Sequence, residues 1–347
     1  MYRNILCLAL GLIIGIRVTD IFEFFQLTEA GLGSTVMTRI AEEATPQLPT
    51  EEELARQLYN ETRVLCMVLT MPKNHITKAA KVKRTWGKRC NKLIFISSQE
   101  DKELGAIDVG IPEERENLYL KVRAGMKYVY KNFVEDYDWF LKADDDTFVI
   151  MENLRLLLYP YDPEAALYFG HRFRTTFPQG YMSGGAGYVM SRDALRRLNL
   201  FALNNTRFCP HNQSSEDKGI GFCLQNVGVV AGESRDEKGR DRFWPLSPHS
   251  MLPTFPNNTW LHKLTFFEPV KETGSSSGIS FHYVKSHEFD RYEYLLYKLR
   301  VFGVPAAPRR LPLKLEPRQL QNQLQVWSEA KSNNPNPVLY DPEIQPG

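Results

Sequence analysis

The sequence predicts an α/β fold with a mostly parallel central sheet, because short apolar runs alternate with helical periodicity in a chain of globular composition. Of its 347 residues, 43% are hydrophobic and 24% are charged, which are ordinary fractions for a folded protein. A formal net charge of +2, spread evenly along the chain, argues against a nucleic-acid surface. The expected partner is therefore a small or glycosylated molecule.

Three buried strands and two helices follow one another in the first half of the chain. Continuous apolar runs predict strands at Val64–Met71, Lys92–Ser97 and Trp139–Ala143. Helices are predicted at Lys78–Trp86 and at Leu118–Phe133, where apolar positions recur at three- and four-residue spacings. Such alternation builds a parallel sheet whose ligands bind beyond the carboxyl ends of its strands.

The N-terminus carries an apolar run that directs the chain into the secretory pathway. The run from Ile5 to Ile16 is shorter than the roughly 20 residues of an ordinary spanning helix, so a cleaved signal peptide is the alternative. We expect a cytoplasmic tail at 1–4 and a signal anchor at 5–18, because no small-residue cleavage site follows. Residues 19–56 lack periodicity and are expected to form a stem.

The folded domain is expected at residues 57–304, followed by a tail. From 305 to 347 the composition shifts to Pro, Gln, Asn and Arg, which predicts poor order. A lumenal location of the domain is indicated by acceptor patterns for N-glycosylation, which begin at Asn60, Asn204, Asn212 and Asn257.

The cysteines beyond Cys7 form an even set, which in an oxidising compartment suggests two disulfides. Sequence proximity favours Cys66 with Cys90 and Cys209 with Cys223, although three connectivities are possible. A zinc site is the alternative, but the sequence has no CxxC pair to build it.

The strongest chemical signal is the triplet Asp144-Asp145-Asp146, directly after the third strand. Adjacent carboxylates repel one another unless a cation neutralises them, and oxygen ligands suit Mn²⁺ or Mg²⁺. Asp144 and Asp146 converge if the backbone turns there, and their cation could bridge a diphosphate. A solvated acidic turn or a helix cap is the alternative for such a short run.

Three further segments add to this signal. The glycine-rich run Tyr181–Tyr188 permits close approach of the backbone to a ligand, or forms a plain turn. The pair Glu216-Asp217 could cap a following helix or supply a general base. His282, between two aromatic residues, would by its own context be a core residue more often than a ligand.

Together these segments resemble the β1,3-glycosyltransferases of family 31, and most closely its core 1 β1,3-galactosyltransferases. The resemblance runs from about residue 63 to 303. It rests on KRTWGKRCNK (83–92), DWFLKADDDTFVI (138–150), YFGHRF (168–173), QGYMSGGAGYVMS (179–191), SSED (214–217) and SFHYV (280–284).

The resemblance implies a GT-A-type catalytic domain and a set of site residues. Asp144, Asp146 and His282 would hold Mn²⁺ against the diphosphate of UDP-galactose, and Asp217 would be the catalytic base. Arg115, Lys121 and Tyr283, together with Asp144, would hold the nucleotide, and Trp260 would line the acceptor site.

The resemblance also implies an acceptor and a location. The acceptor would be O-linked N-acetylgalactosamine on glycoproteins, and the enzyme a homodimer in the Golgi membrane, single-pass type II with a lumenal domain, with a possible dedicated chaperone. A noncatalytic chaperone-like relative and a β1,3-N-acetylglucosaminyltransferase are the alternatives. Where relatives carry a further cysteine pair, residues 274–278 read GSSSG, which leaves the rigidity of that loop open.

Overall fold

The computed structural model describes residues 49–252, 260–270, 274–302 and 310–333. The described residues from 51 onward belong to one compact unit. The anchor predicted at 5–18 and the sequon at Asn257 lie outside the described residues. Within the described ranges, no helix is both long and apolar enough to cross a membrane.

Twelve strands and ten α-helices make up the described fold. The strands are β1 Val64–Leu69, β2 Lys92–Ser97, β3 Ala106–Asp108, β4 Trp139–Asp144, β5 Phe148–Val149, β6 Leu167–Gly170, β7 Arg172–Phe173, β8 Tyr181–Met182, β9 Tyr188–Ser191, β10 Val230–Ala231, β11 Phe243–Trp244 and β12 Ser280–Phe281. The helices are α1 Glu51–Glu61, α2 Ala80–Arg84, α3 Leu118–Phe133, α4 Met151–Leu158, α5 Arg192–Arg197, α6 Glu216–Asn226, α7 Pro248–Met251, α8 Trp260–Leu264, α9 Glu288–Tyr297 and α10 Pro317–Glu329.

A seven-stranded sheet in the order β10-β6-β9-β4-β1-β2-β3 is the centre of the molecule. β1 pairs in parallel with β2 and β4, β2 with β3, and β10 with β6. Only β9 runs against its neighbours β4 and β6 in this sheet. The predicted α/β fold with a mostly parallel central sheet is therefore confirmed.

Both faces of the central strands are covered, as their continuous apolar sequences predict. Along β1, Val64, Cys66 and Val68 pack into one hydrophobic cluster with α4. The alternate residues of β1 pack into a second cluster with the buried face of α3. Side chains of a strand point to opposite faces in turn, so the two clusters lie on opposite sides of the sheet.

A second, three-stranded sheet in the order β11-β12-β5 stands beside the end of β4. In it, β12 pairs with β5 through Phe281 opposite Phe148. β12 is limited to Ser280 and Phe281, because the chain leaves the ladder at His282. The main chain of Val284 still donates to Asp146 O at 2.9 Å, which fixes this segment against the aspartate triplet.

Both predicted disulfides are present, and they join Cys66 to Cys90 and Cys209 to Cys223. The second bond ties the loop before α6 to the body of that helix.

The helix predicted at Lys78–Trp86 is divided into three short pieces. A π-helical turn at His75–Ala79 leads into α2, and a 3₁₀ turn follows at Trp86–Arg89. A Cβ at Gly87 would lie 2.7 Å from Val82 O, so the chain approaches itself closely where the regular helix ends.

The stem predicted to reach residue 56 ends earlier, because α1 begins at Glu51. Three glutamates in its first turn favour this start, since negative charge is stabilised near a helix N-terminus. Leu54 and Leu58 are buried, so this helix is part of the folded unit.

The prediction of a poorly ordered tail is wrong for residues 310–333. A capping box between Glu316 and Gln319 begins α10, with Pro317 in its first turn. Leu320 is buried, and the Trp327 ring lies 5.8 Å from that of Tyr161 and 6.1 Å from that of Phe169. Few apolar residues interrupt this polar helix, and three of them, Leu320, Leu324 and Trp327, pack in the core or against it.

Candidate active site

The aspartate triplet lies at the carboxyl end of β4, at the centre of the main sheet. Thr147 N donates to Asp144 O at 3.1 Å, which closes a turn over the triplet. The middle carboxylate, Asp145, is buried and accepts hydrogen bonds from Thr70 and Asn74, each at 2.8 Å. Burial raises the pKa of Asp145. Asp145 therefore anchors the turn, and the outer two aspartates are left for a ligand.

Asp144, Asp146 and His282 form a cluster whose potential ligand atoms all lie within 4.8 Å of one another. His282 Nε2 is 3.4 Å from Asp146 Oδ1. Burial opposes ionisation of Asp146, but hydrogen bonding to His282 and the charges of His282 and Lys78 outweigh it and lower its pKa to about 2. The structure thus brings together all three predicted metal ligands.

The donor atoms of this cluster fit a divalent cation. His282 Nδ1 lies 3.3 Å from Pro245 O, which can only accept, so the ring hydrogen belongs on Nδ1. With a second hydrogen on Nε2 the ring can bond to Asp146, and without it the Nε2 lone pair faces the carboxylate oxygen 3.4 Å away. That arrangement is repulsive unless a proton or a cation lies between them.

The glycine-rich segment makes room for His282. A Cβ at Gly185 would lie 2.0 Å from Cε1 of the His282 ring, so a larger residue cannot occupy this position without a shift. Thr147 Oγ1 donates to Gly185 O at 2.7 Å, which holds the segment against the aspartate turn. The glycine-rich run predicted a close approach of the backbone to a ligand. In the structure the backbone at Gly185 closely approaches the side chain of His282.

Asp217 lies in the first turn of α6, beside the same glycine segment. Its Oδ2 accepts from Gly184 N at 2.9 Å, and its Oδ1 accepts from Ser215 Oγ at 2.6 Å. The side chain is half-buried, so it is held in place while it remains open to a substrate. These contacts give the predicted base a fixed orientation.

Glu216 and Asp217 have different surroundings although they are neighbours in sequence. Glu216 is buried and accepts from Tyr188 OH at 2.7 Å. Burial raises the pKa of Glu216, and the charge of Lys142 offsets this only in part. Glu216 is therefore a supporting residue, and Asp217 is the member of the pair that can meet a substrate.

Lys142 lies between Asp144 of the cluster and Glu216 of the acidic pair, and sequence analysis did not predict this role. Its Nζ is fully enclosed and lies 2.8 Å from Asp144 Oδ1, 3.3 Å from Glu216 Oε2 and 3.1 Å from Gly184 O. Burial opposes its charge, but Asp144 and Glu216 outweigh it and raise the pKa of the ammonium group. The sequence did contain a signal for this role, because Lys142 lies inside the apolar run WFLKA, where an unpaired charge would be costly.

Lys78 is a second cation that sequence analysis missed. Its Nζ lies 3.2 Å from Asp146 Oδ2 and 3.5 Å from Asp145 Oδ1. The side chain is about one-third exposed, at 34%. It therefore borders the open side of the cluster.

Tyr283 and Arg115 lie at the open side of the metal cluster. Tyr283 has φ +54°, a strained value for a residue with a side chain, and its ring lies 3.9 Å from that of His282. Burial and Asp146 raise the pKa of Tyr283, while the charge of Arg115 opposes them. Both residues are at least half-exposed, as a binding role for the nucleotide requires.

Lys121 and Trp260 are less exposed than Tyr283 and Arg115. Lys121 Nζ is buried and engaged by Glu113 at 2.6 Å and by Thr70 O at 2.5 Å, so it supports the end of β1 rather than presenting a free cation. Trp260 begins α8, is partly buried and packs against the hydrophobic core. Nothing in these contacts tests its predicted acceptor role.

Comparison with known proteins identifies relatives of the chain. Residues 59–236, just over half of it, match the model of a family described as Fringe-like. The chain is 38% identical over 301 residues to glycoprotein-N-acetylgalactosamine 3-beta-galactosyltransferase 1 of Xenopus laevis, covering 85% of this chain and 81% of that protein.

Other glycosyltransferases are more distantly similar to the chain. A beta-1,3-glucosyltransferase of Mus musculus is 28% identical over 174 residues, which are 49% of this chain and 35% of that protein. Among solved structures, the galactosyltransferase LgtC in complex with donor and acceptor sugar analogs covers 68% of this chain and 97% of its own, with 12% identity and a TM-score of 0.40.

Proposed function

This chain belongs to the Fringe-like family, and from that premise we propose that it is a β1,3-galactosyltransferase. It transfers galactose from UDP-galactose to O3 of N-acetylgalactosamine on Ser or Thr of glycoproteins. The similarity to the Xenopus enzyme, which extends over 85% of the chain, supports this donor and this acceptor.

The observation that carries the proposal is the position of Asp217 beside a cluster of metal-ligand atoms. Asp144, Asp146 and His282 converge within 4.8 Å, and Lys142 links Asp144 to the Glu216-Asp217 pair. A cation site next to a half-buried carboxylate is the arrangement that sugar transfer from a nucleotide donor needs.

The mechanism is a single displacement with inversion at the anomeric carbon. Asp217, held by Gly184 N and Ser215 Oγ, accepts the proton of the acceptor hydroxyl while the hydroxyl oxygen attacks the anomeric carbon. Its two hydrogen bonds orient the carboxylate, and no covalent intermediate with the enzyme is required.

Asp144, Asp146 and His282 would hold the cation. Carboxylates suit Mn²⁺ and Mg²⁺, and an imidazole nitrogen favours a transition metal over Mg²⁺, so the donor set fits Mn²⁺. When bound, the cation would offset the negative charge that develops on the departing UDP. Arg115 and Tyr283, on the open side of the cluster, would contact the nucleotide.

We further place the enzyme in the Golgi membrane, as a single-pass type II protein with a lumenal catalytic domain. The apolar run at 5–18 supports an anchor. The disulfides of the folded unit and the exposed Asn60, Asn204 and Asn212 support the lumenal side. A homodimer and a dedicated chaperone stay predictions.

The test is galactose transfer from UDP-galactose to a GalNAc-threonine peptide by the full-length chain in detergent, with Mn²⁺ or with chelator. Product that requires the metal is expected. A panel of other UDP-sugars, including UDP-N-acetylglucosamine and UDP-glucose, identifies a different donor. A folded chain that binds the peptide but transfers no sugar would support the noncatalytic relative instead.

A further inference from the structure

A lysine lies beside the metal cluster without being one of its ligands. Lys78 Nζ is 3.2 Å from Asp146 Oδ2 and 3.5 Å from Asp145 Oδ1, and about one-third of the side chain is exposed, at 34%. The reaction proposed above gives this ammonium group no role. A half-open cation at the rim of a metal site is placed where a bound anion would meet it.

Asp146 directs one carboxylate oxygen to the cluster and the other to Lys78. Its Oδ1 lies 3.4 Å from His282 Nε2, among the atoms that can hold a cation, while its Oδ2 accepts from Lys78. A molecule that shares the cation with Asp146 therefore comes within reach of the ammonium group, because the lysine stem is flexible and its three donors rotate.

Both carboxylates that face Lys78 have other partners. Asp145 accepts hydrogen bonds from Thr70 and Asn74, each at 2.8 Å, and Asp146 is shared with the cluster. Lys78 can therefore turn to a more highly charged anion without leaving a buried carboxylate unsatisfied, which would be costly.

The other lysine of the site is held in a different way. Lys142 is 1% exposed, and its Nζ is surrounded by Asp144, Glu216 and Gly184 O. So enclosed a group cannot contact a substrate. Of these two lysines, only Lys78 can touch a bound molecule.

The backbone fixes the position of Lys78. The residue lies in the π-helical turn His75–Ala79, and such turns are rare but frequent at functional sites. In the same turn, Thr77 O accepts from Ser286 Oγ, four residues after His282. The turn that carries Lys78 is thus fastened to the segment that carries the histidine of the cluster.

The next basic residues of this stretch have their partners outside the cluster. Lys81 Nζ and Arg84 Nη2 lie 2.7 and 2.6 Å from Asp290 of α9. Lys81 is therefore a lysine of the same stretch in an ion pair that the reaction does not involve, and it offers a matched control for Lys78.

We propose that Lys78 is a catalytic residue that binds the diphosphate of the sugar donor and stabilises it as it departs. When the bond between the anomeric carbon and the phosphate oxygen breaks, the electron pair of that bond remains on the diphosphate. The ammonium group donates a hydrogen bond to this anion and keeps its own protons, while the proton of the acceptor goes to Asp217. The inference rests on the proposed transferase function and adds a protein cation on the leaving side of the reaction.

The experiment compares the full-length wild type, Lys78→Met and Lys78→Arg in detergent with saturating Mn²⁺. For Lys78→Met we expect the Kd of UDP, measured by calorimetry, to rise about tenfold, because a charge-assisted hydrogen bond is lost. The Kd of uridine, measured by ligand-observed NMR, should change less than about twofold, since uridine has no phosphate.

Turnover should respond more strongly than binding does. In Lys78→Met, kcat of galactose transfer should fall about 10²- to 10³-fold, because the lost hydrogen bond strengthens as charge develops on the diphosphate. Lys78→Arg keeps the charge and should recover most of the UDP affinity. Lys81→Met, which breaks the ion pair with Asp290, should leave UDP affinity and kcat unchanged.

Binding of Mn²⁺ without nucleotide, measured by EPR, separates this role from a structural one. The ammonium group repels a cation in the cluster, so Lys78→Met should bind Mn²⁺ as tightly as the wild type or more tightly. If the variant loses affinity for Mn²⁺, UDP and uridine alike, Lys78 supports the aspartate turn and the assignment is overturned. A UDP affinity equal to that of the wild type overturns it as well.

UDP binding also separates this inference from the proposed function. If no peptide accepts sugar but Lys78→Met loses affinity for UDP and not for uridine, the diphosphate contact is supported and the transferase function is not. If Lys78→Met transfers galactose at the rate of the wild type, the transferase function holds and Lys78 is not catalytic.

Discussion

At the scale of single residues, Asp217 is the side chain that the proposed reaction requires to accept a proton. Asp217→Asn keeps the shape and the bond from Gly184 N but removes the base, so kcat should fall about 10²- to 10⁴-fold. Binding of UDP with Mn²⁺, measured by calorimetry, should change less than twofold. Asp193→Asn, paired with Arg197 on α5, is the control. Loss of UDP binding together with turnover would assign Asp217 to the nucleotide site.

Gly185 leaves no room for a Cβ beside the ring of His282. A Cβ there would lie 2.0 Å from Cε1 and 2.2 Å from Nδ1 of the ring, so Gly185→Ala must displace His282. The Mn²⁺ concentration for half-maximal activity should rise about tenfold or more, because one ligand is moved. Gly278→Ala, whose Cβ meets nothing closer than 3.5 Å, should leave it unchanged. Equal metal dependence of the two variants would exclude His282 as a ligand.

Sequence reasoning found the site residues whose signal is local and missed those whose role depends on the fold. Asp144 and Asp146 follow a strand, and that position alone predicted them. His282 lies far along the chain and was predicted as a ligand only through the family resemblance. Lys78 was missed because nothing in its own neighbourhood indicates the carboxylates that face it. For Lys142 a signal was available in the apolar run WFLKA, but its partner Glu216 lies far along the chain.

At the scale of elements, the turn at 236–240 predicts a pH dependence of stability. Asp236 is buried, which opposes its charge, but backbone and side-chain hydrogen bonds from Arg240 and Ser275 outweigh this and lower its pKa to about 2 from the ordinary 3.8. Because the pKa is lower in the folded state, the carboxylate stabilises the fold above about pH 4, and this contribution is lost as pH falls towards 2.

The measurement is the free energy of unfolding between pH 2 and pH 6 for wild type and Asp236→Asn. The variant should be about 1 kcal/mol less stable at pH 6, and the difference should vanish near pH 2. Asp162→Asn, which removes a carboxylate with one backbone bond from Glu164 N, is the comparison. A difference that stays constant over the whole range would show that packing, not charge, accounts for the effect.

Asp241 and Arg242, which follow this turn, are hydrogen-bonded to the GSSSG loop. Ser275 N donates to Asp241 O at 3.0 Å, and Arg242 Nε donates to Ser277 Oγ at 3.1 Å. These bonds hold the part of the loop from residue 274 onward.

Elements with a continuous apolar signal were predicted almost residue by residue, and the others were not. Lys92–Ser97 and Leu118–Phe133 have the predicted bounds. The two-residue strands β5, β11 and β12 carry no periodic pattern, because tertiary contacts define them. α10 is mainly polar, so its sequence alone does not predict that Leu320, Leu324 and Trp327 pack in or against the core.

At the scale of the whole molecule, α10 closes one face of the sheet. Trp327→Ala removes the ring that packs against Tyr161 and Phe169, so the free energy of unfolding should fall by about 2–3 kcal/mol. Val326→Ala, on the same helix and 66% exposed, should change it by less than about 0.5 kcal/mol. Denaturant unfolding measures both variants. Equal stabilities would mean that α10 does not belong to the cooperative unit.

The position of α10 also has a consequence for the order of events during synthesis. Residues 317–329 leave the ribosome after every strand of the main sheet, yet Leu315 N donates to Pro160 O at 2.8 Å and Trp327 covers Phe169. Until this helix emerges, the nascent sheet presents an aromatic surface to its surroundings. Folding factors bind apolar surface of this kind, and chains that expose it for long are prone to aggregate. A ribosome that stalls between β12 and α10 would therefore hold a chain with its active-site residues already made and its protective cover still missing.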